Sequence, residues 1–407
     1  MNAASFREDL FGHQSAGRAT RREALLRSVD RLEADPLAGM PSALREADPR
    51  QLRVVLFGTT VYADIVMLAA RPRRIQVIAA VDDFRPVADY SGLPVIKSGA
   101  CRALVPGSGP LVAINTGRSD RSIRFFQRLA DECGIPMLSF EQAVRLFGME
   151  PHIDHRVADW GPEIVSRRDE FLALGDRMTD DYSRETLYGV LLFHLTGDME
   201  WIHDVNRPYS TLYFRSGLFV PGAGERFVDC GASIGESTGG LMALTRGKVG
   251  RVWMIEPDKF NHERLEAQMA GEWSGARDRM SLHKVAIGAE PGVIPFNHVG
   301  GHSGSISVGA PAYGDVDTVD IARIDDIVDA PPTFVKMDIE GAEGDALKGA
   351  ARCIRTARPT LAISAYHRKS DLLDLTGYID SLGCDYRIGL RHHTEDRYDT
   401  CLYFMPA

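Results

Sequence analysis

Residues 226–237 read Arg226-Phe227-Val228-Asp229-Cys230-Gly231-Ala232-Ser233-Ile234-Gly235-Glu236-Ser237. An apolar run of strand length ends in an acid, two glycines follow, and helix-forming residues begin immediately after them. This is the pattern of a buried strand, a glycine turn and a helix start at the edge of an open α/β sheet. Gly231 and Gly235 remove side chains where a ligand has to touch the backbone, and the first N–H groups of the helix face the same crevice. An aspartate at the strand end, Asp229, suits an ammonium or a hydroxyl and repels a pyrophosphate, so an amino-acid-bearing ligand fits the turn better than a dinucleotide.

The pattern continues downstream. Arg251 to Asp258 reads as a second strand that delivers Glu256 next to Pro257, where an acid takes ribose hydroxyls; a nicotinamide site also uses such an acid. Met280 to Ile287 reads as a third strand whose small residue Ala286 could lie against an adenine face. The fourth run, Thr333 to Met337, leads into Asp338-Ile339-Glu340-Gly341-Ala342-Glu343-Gly344-Asp345. Four acids therefore crowd the carboxyl end of a strand, the place where open α/β sheets bind ligands. Asp345 is accounted for by the helix dipole, whereas Asp338 and Glu340, on alternate strand positions, are expected on one face. A fifth strand, Thr360 to His367, brings His367 to the crevice. Ser370 then caps a helix ending before Gly383, and Asp385 to Leu390 with Thr400 to Phe404 reads as a closing hairpin.

Upstream, Thr20-Arg21-Arg22-Glu23 has capping-box spacing and Leu25, Val29 and Leu32 follow at helical intervals, which predicts a helix of about four turns. From Gln51, apolar strands at Arg53 to Phe57, Gln76 to Val81, Leu111 to Asn115 and Pro136 to Phe140 alternate with helical stretches, one beginning near Tyr62. This is a second parallel α/β arrangement. Its first turn holds only Gly58, so a scaffold or oligomerisation domain is expected there rather than a cofactor site. Residues 141 to about 220 are helical in pattern and read as a connector and lid, with Tyr209, Tyr213 and Phe214 just ahead of the cofactor domain.

The 47 lysines and arginines against 56 aspartates and glutamates give a net charge of −9, which disfavours a nucleic-acid polymer or an anionic bilayer as partner. Apolar residues at 44% and charged residues at 25% are those of a globular chain and exclude a disordered or fibrous one. The six cysteines form no C-x-x-C pair, so neither structural zinc nor a disulfide framework is expected. No apolar run reaches the roughly 18 residues of a spanning helix. Arg7, Glu8 and Asp9 break up the start, so no targeting segment is expected and the cytoplasm is the expected location.

Phe227-Val228-Asp229-Cys230-Gly231-Ala232 with Gly235, then Ile255-Glu256-Pro257, and above all Val335-Lys336-Met337-Asp338-Ile339-Glu340-Gly341-Ala342-Glu343, resemble the FkbM family of S-adenosylmethionine-dependent methyltransferases. The resemblance covers about residues 180 to 405. It implies a class I methyltransferase fold, a seven-stranded Rossmann-like sheet whose last strand is antiparallel and whose helices lie on both faces. Together with the upstream pattern this gives an α/β protein with a helical segment at 1–50, a smaller Rossmann-like domain at 51–150, a helical connector at 151–220 and the methyltransferase domain at 221–407.

The resemblance further implies O-methylation of a sugar, a glycan or a polyketide-type natural product. Asp229, Gly231, Ala232 and Gly235 would contact the methionine portion of the cofactor, Glu256 and Pro257 the ribose, and Ala286 the adenine edge, with Asp338 beside the transferring methyl. Tyr213, Phe214 and Glu340 are candidates for the acceptor side, although Tyr213 and Phe214 could equally be core. An alcohol acceptor has to lose a proton, and His367 or His302 is the expected base. Asp338, Glu340 and His367 have the chemistry to hold a divalent metal, though none is expected. The acceptor is expected to be a small molecule, a sugar or a carrier-linked group, and self-association is compatible with the N-terminal domain. The competing readings are a non-catalytic assembly protein on a methyltransferase fold and, less well supported, an NAD-dependent oxidoreductase, which the missing Gly-x-Gly-x-x-Gly disfavours.

Overall fold

The computed structural model describes residues 20–40, 44, 46, 48–85, 88–104, 110–148, 158–301, 305–306 and 315–407. Its described residues fall into two compact units. The first takes them from Met1–Asp169, Glu185–Asn206 and Glu395–Arg397; the second from Glu170–Arg184, Arg207–Thr394 and Tyr398–Ala407. The stretch read as a separate connector is thus divided between the units.

In the first unit, Thr20 caps the helix Arg21–Ala34 through the expected capping box, and Leu25, Val29 and Leu32 are its buried stripe. The sheet is built from β1 (Arg53–Phe57), β2 (Gln76–Val81), β3 (Asp89–Tyr90), β4 (Leu93–Ile96), β5 (Leu111–Asn115) and β6 (Met137–Leu138), in the order β3-β4-β2-β1-β5-β6. All neighbours are parallel except β3 and β4. β6 is shorter than the expected Pro136 to Phe140 because Ser139 and Gln142 form a capping box that starts the helix Phe140–Phe147 at once. The turn after β1 is closed by its own side chains. Thr59 donates from its amide and hydroxyl to Asp82, and Thr60 donates to the carbonyl oxygen of Thr116.

The second unit is built on β7 (Arg226–Cys230), β8 (Arg251–Ile255), β9 (Met280–His283), β10 (Ala286–Ile287), β11 (Gly292–His298), β12 (Ser305–Ile306), β13 (Asp315–Ala322), β14 (Phe334–Met337), β15 (Thr360–Ser364), β16 (Tyr386–His392) and β17 (Thr400–Pro406). Seven of these form one sheet in the order β16-β17-β15-β14-β7-β8-β9. The last strand of the chain, β17, runs antiparallel to both of its neighbours, as expected. Parallel pairing of β7 with β8 and of β8 with β9 requires crossovers, which the helices Glu236–Thr245 and Lys259–Ala270 supply.

Two expectations are corrected. Met280 to Ile287 is not one strand: β9 ends at His283, and β10 leaves it to pair with β13 in a separate four-stranded sheet of order β10-β13-β11-β12. Asp338 and Glu340 do not share a strand face, because β14 ends at Met337 and Glu340 takes a left-handed φ of 58°.

The core beneath the site is aromatic. Phe227 and Phe334 are partners in the β7–β14 register, and their rings stack at 5.3 Å. Phe214 and Phe219 pack against Phe334 at 5.4 and 5.1 Å. Burying each such ring contributes about 1.5–3 kcal/mol, which holds β7 and β14 side by side from their amino ends. Among the described residues no helix is long and apolar enough to cross a membrane.

Candidate functional site

The site lies where β7, β8, β14 and β15 end. Gly231 has φ 76° and lies so close to the backbone of Asp338 that a Cβ would overlap the Asp338 carbonyl oxygen. Gly235 has φ 92°, and a Cβ there would meet Trp273 at 2.8 Å. Only glycine satisfies both constraints at these two positions. Ser233 between them is held at φ 48°, while Tyr213 and Glu340 take φ 63° and 58°. Non-glycine residues in this region cost about 1–3 kcal/mol each and concentrate at functional sites; Tyr213 bonds Asp338, two residues before Glu340, and Ser233 bonds Glu256.

Asp229 is fully buried. One carboxylate oxygen accepts from the Ser237 and Thr238 hydroxyls at 2.7 Å each, and the other stands 3.3 Å from the Lys336 ammonium. Lys336 also donates to the carbonyl oxygens of Cys230 and Gly231 and lies 5.4 Å from the centre of the Tyr213 ring. The ammonium expected opposite Asp229 is therefore supplied by the chain itself, and Asp229 braces the turn from below. Lys336, partner of Asp229 in the β7–β14 register, was not singled out from the sequence. A lysine inside an apolar strand run is the signal, since burying it requires a partner charge.

Glu256 follows β8 as expected. It accepts from the amides of Ser233 at 2.7 Å and Asp258 at 2.8 Å, which ties it to the glycine turn. Burial pushes its carboxyl up to about 7 against the pull of those two amides. Pro257 leads into Asp258, which caps the next helix through Phe260 and Asn261 and also accepts from the amides of Val299 and Gly300. Asn261 exchanges hydrogen bonds with Gly301, and the Ser233 hydroxyl donates to the Gly301 carbonyl oxygen at 3.1 Å. Gly301 is thus anchored to the turn; His302, the residue after it, lies outside the described residues. Ala232 is buried behind the turn, and Ala286 is buried with Phe296 and Val319 in the smaller sheet.

On the opposite side the Tyr213 hydroxyl donates to Asp338 at 2.8 Å and the Tyr366 hydroxyl at 3.3 Å. Burial pushes the Asp338 carboxyl up, but Lys336, His367 and the Tyr213 hydroxyl outweigh it and hold it below the ordinary carboxylate range. Phe214, for which the sequence leaves a lid and a core position both open, is a core ring between Phe227 and Phe334.

His367 is fully buried among acids. Its Nδ1 stands 3.0 Å from Glu343, and its Nε2 faces Glu340 at 3.5 Å and Asp338 at 3.6 Å. Glu343 is kept ionised against its burial by His367 and by the amide of Ile339. Burial pushes the imidazole down, but Glu343, Glu340 and Asp338 outweigh it and raise it to about 10. The three acids thus favour the protonated imidazole over the neutral form that a general base needs.

Residues 229–388 match the Methyltransferase FkbM domain family. No curated protein matches the chain. Among solved structures, a methyltransferase FkbM from Methylobacillus flagellatus KT is 46% identical over 94% of this chain and 99% of its own, with a TM-score of 0.84. A putative rRNA-methylase from Clostridium thermocellum matches at 12% identity over 52% of this chain and 95% of its own, with a TM-score of 0.29. An rRNA methylase from Streptococcus thermophilus matches at 13% identity over 45% of this chain and 86% of its own, with a TM-score of 0.28. The first likeness extends well beyond residues 229–388, into the N-terminal part that lay outside the sequence resemblance.

Proposed function

Because the chain belongs to the FkbM methyltransferase family, we propose that it moves the methyl group of S-adenosylmethionine to a hydroxyl of a small-molecule, sugar or carrier-linked acceptor. The observation that supports this reading best is the contact between Gly231 and the backbone of Asp338. It sets the glycine turn, which suits the cofactor, directly against a cluster of acids that suits an alcohol.

In this proposal Glu256 accepts the ribose hydroxyls, and the backbone of 231–235 lies along the methionine portion. Methyl transfer is an in-line displacement: the acceptor oxygen forms a bond to the methyl carbon, and the C–S bond breaks with its electron pair going to sulfur. Holding the three atoms in line supplies roughly 7–11 kcal/mol in favourable cases. Asp338, oriented by Tyr213 and Tyr366, accepts a hydrogen bond from the acceptor hydroxyl, points its oxygen toward the methyl, and takes the hydroxyl proton as the C–O bond forms, to pass it on to solvent. The net charge of −9 favours a small acceptor over a nucleic-acid polymer.

The test is incubation of the protein with methyl-labelled S-adenosylmethionine and a panel of hydroxylated sugars and polyketide alcohols. The proposal expects label in an ether linkage and one S-adenosylhomocysteine per methyl transferred. Label found only on carbon or nitrogen, or no transfer to any hydroxyl although the cofactor binds, would overturn the O-methylation reading.

A further inference from the structure

We propose that the first unit carries a small-molecule site of its own, a cavity at the carboxyl ends of β1, β5 and β6 that binds a hydroxylated primary amine of the amino-sugar class. This site is independent of the methyl-transfer reading.

The topology of the smaller sheet sets its position. In the order β3-β4-β2-β1-β5-β6, β2 and β5 lie on opposite sides of β1, so the direction of winding reverses between β1 and β5. Open α/β sheets leave a crevice at such a point, outside the carboxyl ends of the strands. A cavity of about 370 Å3 lies there, and small-molecule pockets run roughly 300–1,000 Å3. Tyr62 reaches its wall from the helix Val61–Arg73 that follows β1, Asn115 from the last position of β5, and Glu141 from the first turn of the helix after β6. The turn 196–200, in the same unit, forms the remaining side. Gly197 seats that turn on the end of β6: at φ 72° it lies so close to Ser139 that a Cβ would overlap the Ser139 hydroxyl.

The wall is partly apolar and partly polar. The rings of Tyr62, Phe140 and Phe193 cover the carbon skeleton of a ligand, while Ser139, Gln142 and Thr196 bring hydroxyl and amide groups that pair with hydroxyls. Charge selects among hydroxylated ligands. Among the described residues, five carboxylates line the cavity, Asp120, Glu141, Asp198, Glu200 and Asp396, against one arginine, Arg124. Arg124 is shared between Asp120 at 2.7 Å and Glu200, and Arg118 pairs with Asp396 at 2.9 Å from outside the wall. Arg145 is taken by Asp159 at 3.0 Å. Arg397 and His194 stand 3.5 and 3.6 Å from Glu141, beyond the roughly 2.7–2.9 Å of a charge-assisted hydrogen bond. Burial outweighs Glu141 at the His194 imidazole and favours its neutral form. With Arg118 and Arg397 counted, five acids still face three arginines. The surplus repels a phosphate or a carboxylate and attracts an ammonium. Glu141 is 5% exposed; a carboxylate so buried is costly without a close cation, and a bound ammonium supplies one.

The experiment is saturation-transfer NMR on the full chain with D-glucosamine, D-galactosamine, glucose and glucose 6-phosphate, followed by titration for affinities. An amino sugar binds at least roughly tenfold more tightly than glucose, and glucose 6-phosphate gives no signal. Glu141→Gln weakens the amine roughly tenfold, and Asp198→Asn weakens it less, since that carboxylate is exposed. Thr196→Phe fills the cavity and abolishes binding. Glu132→Gln, exposed on the helix Asp120–Cys133 and off the wall, leaves it unchanged. Circular dichroism melts establish that each variant is folded. No signal from either amine, equal affinity for glucose and the amines, or amine binding retained in all three cavity variants would overturn the site. S-adenosylhomocysteine binds the three cavity variants as it binds the wild type, so failure of the amine site and failure of the methyltransferase reading are observed separately.

Discussion

Replacing Lys336 by methionine keeps a long side chain in the core of the sheet and removes one positive charge. Asp229 is fully buried and keeps only the hydroxyls of Ser237 and Thr238 once the ammonium at 3.3 Å is gone. The carbonyl oxygens of Cys230 and Gly231 lose the same donor. Breaking a buried pair by deleting one partner costs about 3–5 kcal/mol, because the other charge is left uncompensated. For a unit of this size that lowers the melting temperature by roughly 6–20 °C, at about 2–4 °C per kcal/mol. Urea unfolding of Lys336→Met, Asp229→Asn and the double variant, followed by circular dichroism, measures each cost and their coupling. Removing both charges is less damaging than the sum of the single losses, by roughly 1–3 kcal/mol. A loss below about 1 kcal/mol for Lys336→Met, or strict additivity in the double variant, would refute the claim that this pair holds the turn together.

Gly231→Ala forces a Cβ into the Asp338 carbonyl oxygen at a left-handed φ; differential scanning calorimetry should show several degrees of destabilisation, and S-adenosylhomocysteine binding should be lost. Glu256 links affinity to pH. Its carboxyl, pushed up to about 7 in the folded protein from an ordinary value of about 4.5, holds more protons in the folded state between those values, so stability falls by about 3 kcal/mol as pH rises through that window. Affinity for S-adenosylhomocysteine moves the opposite way, falling below about pH 7 as the carboxylate that accepts ribose hydroxyls is protonated, and Glu256→Gln should flatten the profile. Glu340→Gly relieves the positive φ at 340, so the melting temperature should hold or rise while turnover drops at least tenfold; parallel losses in both would make Glu340 structural.

Much of the second unit is legible in the sequence because its central strands are buried on both faces. Phe227–Val228, Val252–Ile255 and Phe334–Met337 therefore appear as apolar runs, each stopped by a glycine or an acid at the ligand-binding end. Glu256 could be placed for the same reason. What pairing across distant segments decides was not legible. Lys336 meets Asp229 only through the register of β14 on β7, and β10 leaves the line of β9 because β13 offers it a partner. The shared face expected for Asp338 and Glu340 assumed a strand that the positive φ at Glu340 ends. The charge state of His367 depends on three acids converging on it, Glu343 and Glu340 among them, which the helix Glu343–Gly349 and the turn before it arrange in space. The division of residues 151–220 between two units likewise follows from tertiary contacts rather than local pattern.

The central claim is that the glycine turn and Glu256 bind S-adenosylmethionine, and calorimetric titration of the purified protein with S-adenosylhomocysteine tests it most directly, with NAD titrated in parallel and Glu256→Ala as control. One site per chain at micromolar affinity, no heat from NAD, and binding lost in a folded Glu256→Ala is the predicted result. No binding of S-adenosylhomocysteine to the folded wild-type protein, or equal binding in Glu256→Ala, would contradict it.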